Sequence, residues 1–147
     1  MNMNLTKNVL ISEVLAPVSA GASIDSNSDI LDMMGWDGVV FIVPITDCVS
    51  GGVATLNAQG SAANSDTAMT TLTGASATVT SSGNDNENGT LLIVDVYRPL
   101  LRYIQGNVTS ASQNIAYGNM IAIRYSGRKF PITDHATVSD ATFVTGV

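Results

Sequence analysis

The apolar segments of this chain are short, rich in Val, Ile and Thr, and separated by clusters of Gly, Asn, Asp and Ser, and this pattern restricts the fold more than any other feature. Such punctuation is that of strands and turns. In "TLLIVDV", residues 90–96, Leu92, Val94 and Val96 fall on one face and Leu91, Ile93 and Asp95 on the other, so the first set is the expected core face. In "NMIAIRYSG", residues 119–127, Ile121, Ile123 and Tyr125 alternate with Met120, Ala122 and Arg124, which points Arg124 outward. No segment sustains an apolar helical stripe for three turns. The nearest, "SNSDILDMMGW", offers Ser28 as the cap of a single turn carrying Ile30, Leu31 and Met34 and stopped by Gly35.

The expected strands are 9–15, 38–43, 53–57, 77–80, 90–96, 102–108 and 119–125, with shorter edge pieces near Ile24, Thr71 and Thr142. Without strand–helix alternation, this predicts an all-β fold, an antiparallel β-sandwich or jelly roll of about eight strands. "SSGNDNENGT", residues 81–90, reads as a long hairpin tip ending in Asn88-Gly89. The small-residue middle of the chain interleaves with Leu56, Met69, Leu72 and Val79, so it reads as strands and loops and not as a linker. One domain, 1–147, is expected from the length.

Charge narrows the partners. With six Lys+Arg against twelve Asp+Glu and a net charge of -6, the chain is not expected to bind nucleic acid or an anionic membrane, which need accumulated cations. The longest apolar run, "GVVFIVPI", is broken by Pro44 and falls well short of the ~18 residues of a membrane span. Near the start, Ser12 and Glu13 interrupt the apolar run after Lys7, which argues against a secretory signal. The single cysteine, Cys48, forms no internal disulfide, as suits a protein made in a reducing cytosol.

Chemistry is sparsely provided for. His135 is the only histidine, and no Gly-x-Ser-x-Gly elbow presents a serine to it, so a loop histidine is expected and not a triad. One His and one Cys lack the spacing of a zinc site. "NDNENG" has the rhythm of a calcium loop but puts amides where that loop needs carboxylates. The pairs Asp29/Asp32 and Asp32/Asp37 read as solvated turn carboxylates, and the glycines of "VSGGVATLNAQG" as turn residues without the Lys-Ser/Thr of a phosphate loop. No catalytic residue, metal or cofactor is expected, and the chain is not expected to be an enzyme.

A resemblance adds to this reading. "ISEVLAPVSAGASIDS", "LDMMGWDGVVFIV", "LTGASATV", "LLIVDVYRPLLRYIQGNVT" and "AIRYSGRKFPIT" resemble segments of small virion proteins of tailed bacteriophages, most strongly the cement or capsid-decoration proteins of short-tailed phages. The likeness runs from about Ser12 to Thr133. It implies a jelly-roll structural protein, made in the cytoplasm of a host bacterium and carried on the capsid exterior, that bridges subunits of the major capsid protein and stabilises the shell. A receptor- or carbohydrate-binding module of a phage tail or fibre is the alternative. Low charge and positive mean hydropathy in a small β domain further predict self-association as a dimer or trimer.

The interface candidates follow from "DVYRPLLRYIQG", residues 95–106. Pro99 should push Arg98 toward extended geometry, end a strand at Tyr97 and restart it near Arg102, placing a structural corner at Pro99, Arg102 and Tyr103. Arg102 should brace that corner through backbone carbonyls or Asp95. Arg98, with Arg124, Arg128 and Lys129, would form a basic rim that docks onto carboxylates of a neighbouring subunit or the capsid. Trp36 is expected to plug the core or an interface, not to stack on a sugar.

Overall fold

The computed structural model describes residues 4–129 and 132–142. Its strands are β1 (Val9–Leu15), β2 (Val18–Gly21), β3 (Asp25–Asn27), β4 (Leu31–Asp32), β5 (Gly38–Cys48), β6 (Val53–Ser61), β7 (Thr70–Thr80), β8 (Leu91–Tyr97), β9 (Tyr103–Ala111), β10 (Ile115–Tyr117) and β11 (Met120–Tyr125). One sheet runs β1-β11-β5-β10-β2 with β8 on the other side of β5, and the second runs β3-β9-β6-β7 with β4 also on β9. All pairings are antiparallel. The order β1-β11-β5-β8 facing β3-β9-β6-β7 is jelly-roll connectivity, so the expected sandwich is formed, with β2, β4 and β10 as short additions.

Strand β5 organises the core. Val39, Phe41, Val43 and Ile45 point inward and are fully buried, facing Leu56, Ala58, Ile104 and Val108 of the second sheet. Pro44 does not end the strand as the sequence suggests. On that side of β5, pairing with β11 stops at Ile42 and pairing with β10 begins at Ile45, so the residue without an N–H falls where one ladder hands over to the next. The pieces expected at Thr71 and 77–80 are likewise one strand, β7, bent at Gly74, whose φ is +79°.

Five other expectations change. Leu92 and Val94 are buried and Leu91 and Ile93 exposed, as the period of β8 requires, but in β11 the faces are reversed: Met120 and Ala122 are in the core. Both faces of β11 are apolar, and the selected one is that whose narrow side chains fit over Gly106. A Cβ there would stand 2.5 Å from the Met120 sulfur. Ser28 caps no helical turn; its N–H donates to the Gly106 carbonyl and its hydroxyl accepts from the Gly106 N–H, fixing the chain against β9. Residues 81–90 form no hairpin, because β7 and β8 belong to different sheets. They cross from one sheet to the other and are held at the end of β5, where the Cys48 carbonyl accepts from Asp85 N–H and the Cys48 sulfur from Glu87 N–H. Arg98 is not extended but left-handed, with φ of +50°. The strand expected near Thr142 is not formed at Thr142, and residues 143–147 lie outside the described residues.

The sheets are pinned together by Tyr117, which is 1% exposed. From β10 its hydroxyl donates to the Thr109 carbonyl of β9 at 2.6 Å and accepts from the Thr55 N–H of β6 at 3.1 Å. Burial raises this phenol to about 12, so it remains a donor at neutral pH. Tyr117→Phe should leave a buried donor and acceptor without this partner and lower stability by about 1–3 kcal/mol. Urea unfolding followed by circular dichroism checks this; an unchanged midpoint would show that the hydroxyl contributes nothing.

Candidate functional site

Three segments converge on the turn between β4 and β5. Gly35 supplies the left-handed residue, φ +88°, and Trp36 N–H closes the turn on the Met33 carbonyl at 3.0 Å. Met33 N–H donates to the Arg102 carbonyl at 2.8 Å, Arg98 N–H to the Asp37 carbonyl at 2.6 Å, and Arg128 N–H to the Gly35 carbonyl at 2.9 Å. The turn is thereby tied to both ends of the 98–102 corner and to the segment after β11. The corner itself is as the sequence predicts: β8 leaves one sheet at Tyr97 and β9 enters the other at Tyr103.

Between these segments lies an open groove of about 520 Å3, lined by Met34, Trp36, Arg98, Leu100, Arg102 and Arg128 among others. A neighbouring cleft adds Gly127 and Lys129 on the far side of Trp36. The Trp36 ring lies against Gly127, where a Cβ would come within 2.9 Å of it. Leu100 stands free at the tip of the corner, its exposure 102% of the reference value. Trp36 is half-buried and packs against the core, so it fills the base of the groove.

The five cations around this turn play different parts. Arg102 does brace the corner, but through Asp32: Nε donates to Oδ1 at 2.9 Å and a terminal nitrogen to Oδ2 at 2.7 Å. The Asp95 expected there instead accepts from the Tyr125 hydroxyl at 2.6 Å. The guanidinium of Arg102 also lies 5.1 Å from the Tyr103 ring centre. Arg124 does not point outward. It is half-buried, one terminal nitrogen donates to the Asp32 carbonyl at 3.2 Å, and its guanidinium sits 5.5 Å from the Trp36 ring centre. This follows from the reversed faces of β11. Arg98, over the Tyr97 ring at 5.1 Å, and Arg128 and Lys129 are exposed. Among the described residues, the exposed cations free of an ion pair are thus Arg98, Arg128 and Lys129, while Arg102, also exposed, is paired with Asp32 and Arg124 is half-buried against Trp36 as a second brace.

Lys7, the sixth cation, is far along the chain and faces Asp134 at 3.9 Å. His135 Nδ1 is hydrogen-bonded to the Thr137 hydroxyl within its own loop, and the Asn84 side chain accepts from the Ser50 N–H, tying the 81–90 segment to the turn after β5. Arg102 and the Met34 N–H hold the Asp32 carboxyl down at about 2. A lowered carboxylate pKa contributes stability that is present above the unfolded value near 3.8 and is lost as pH falls toward 2. Arg102→Ala should therefore lower the melting temperature at pH 7 and flatten its fall between pH 4 and 2. Scanning calorimetry of wild type, Arg102→Ala and Asp32→Asn checks this, and identical acid limbs in all three would refute the brace.

No family model matches the chain, and no curated protein matches it. Among solved structures, the fold is similar to that of the PBSX exported protein XepA, with a TM-score of 0.56 and 16% sequence identity over 99% of this chain. The chain spans less than half of that structure's length, 46%. At this identity the comparison shows that the two share a fold.

Proposed function

We propose that this chain is a structural virion protein that decorates a phage capsid and stabilises it by bridging subunits of the major capsid protein. The observation that carries the reading is the segregation of charge. Every Lys or Arg except Lys7 gathers around one turn of a protein whose net charge is -6, beside a projecting Leu100 and a half-buried Trp36. An apolar tip ringed by exposed guanidinium and ammonium groups suits docking onto a carboxylate-bearing protein surface. The jelly-roll fold, shared with XepA, and the resemblance to cement proteins support the same reading.

Decoration acts by mass action: a protein that binds the assembled lattice and not its separated subunits raises the stability of the shell with each site filled. No reacting group is required of it. Leu100 and Trp36 provide the desolvated centre, and Arg128 and Lys129 set orientation and encounter rate.

Purified heads stripped of this protein and then re-saturated with it should melt at a higher temperature than bare heads. The double variant Arg128→Ala/Lys129→Ala should keep its fold but bind heads more weakly at low salt, by about tenfold, with the deficit shrinking as salt screens the wild-type contacts. Equal melting of bare and saturated heads would contradict the proposal. Equal binding by the double variant at low salt would remove the basic rim from it.

A further inference from the structure

The sheet edges are treated unequally. Along β1, the segment 132–142 covers the outer side: Glu13 N–H donates to the Thr137 hydroxyl at 3.1 Å, and Val138 and Ala141 lie beside Val9 and Ile11. At the opposite edge of the second sheet, β7 is bent at Gly74 and its register with β6 shifts. The remaining edge pieces, β2, β3 and β4, have four, three and two residues. Strand β8 differs from all of these. It pairs with β5 without a register break from Gly38↔Tyr97 to Pro44↔Leu91, and among the described residues no strand pairs with its other edge.

An unpaired, regular seven-residue edge carrying exposed apolar side chains is a template for another strand unless charge, proline or a bulge blunts it. On β8, Leu91 is 55% and Ile93 50% exposed, and the single charge, Asp95, is engaged by Tyr125. The flanks carry opposite charge. Before the strand, the 84–89 loop holds Asp85 and Glu87, and the Thr90 hydroxyl lies 3.5 Å from the Glu87 carboxylate. After it comes the exposed Arg98, carried over the Tyr97 ring.

We infer that the partner of this edge is a second copy of the same chain, with β8 paired to β8 antiparallel about a twofold axis. Antiparallel self-pairing brings the basic end of each strand to the acidic end of the other, and twofold symmetry makes the match twice. In the register centred on Val94, Leu91 faces Tyr97, Ile93 faces Asp95, and Arg98 faces Thr90, beside which the Glu87 carboxylate stands. No residue of β8 then meets a like charge, and the two first sheets become one continuous sheet. Arg98 also belongs to the basic rim, but the test of the capsid reading uses Arg128 and Lys129, so the two proposals can fail separately.

Analytical ultracentrifugation of the full chain tests it. Wild type should be a dimer at micromolar concentration; Arg98→Glu and Glu87→Arg should each raise the dimer Kd by about tenfold or more, and the doubly reversed variant should return it to within about threefold of wild type. Circular dichroism establishes that each variant keeps its fold. A wild-type monomer at about 100 μM, a dimer indifferent to both single reversals, or a double variant no tighter than the singles would overturn the inference.

Discussion

The structure depends on β5 being paired along both edges while one face is fully buried. A strand held in this way cannot slip by one residue, because the slip would turn Val39, Phe41, Val43 and Ile45 out of the core. β8 lines one side, and β11 and β10 share the other, dividing at the one residue that cannot donate. The rest of the sandwich is placed relative to this ladder, including the second sheet that Tyr117 ties to it. The candidate site inherits the same rigidity, since the turn carrying Trp36 enters β5 directly and the 98–102 corner follows β8 directly.

Beyond the core, the two sheets present different outer faces. On the second sheet Asn27, Asn107, Asn57 and Ser76 stand in one row and hydrogen-bond in sequence, with Asp25 and Asp66 satisfying neighbouring amides. That face is polar, and its row of amides is hydrogen-bonded from within. On the first sheet the corresponding rows are Ile93, Ile42 and Ile121, then Asp95, Val40 and Ile123. The contrast accounts for the positive mean hydropathy of an acidic protein: apolar residues beyond the needs of the core are gathered on one outer face, and cations on one corner. In the proposed role, a surface divided in this way serves protein contact.

How much of this could be read from the sequence depended on whether the pattern was local. The alternation in β8 and the break at Pro99 are local, and the predicted core face and the sandwich corner agree with the structure. In β11 both alternating sets are apolar, so periodicity alone could not choose between them; the choice was made by Gly106 of β9, which accepts Met120. Arg124 followed that choice inward. The partner of Arg102 is Asp32, 70 residues away, and nothing in one sequence marks so distant a pair. The 81–90 segment has hairpin chemistry, including a left-handed Gly89, φ +80°, yet its ends belong to different sheets, which only the topology decides. Arg98 took a left-handed conformation because its N–H is drawn to the Asp37 carbonyl, another contact across the chain.

The central claim is that this protein lies on a capsid shell and meets it through the corner that holds Trp36, Leu100, Arg128 and Lys129. Cryo-electron microscopy of purified virions, at a resolution that traces the chain, tests this directly. The account predicts density for this jelly roll on the outside of the head, with that corner against carboxylates of the major capsid protein. Density for the chain on the tail or a fibre, or on the head with the basic corner facing solvent, would contradict it.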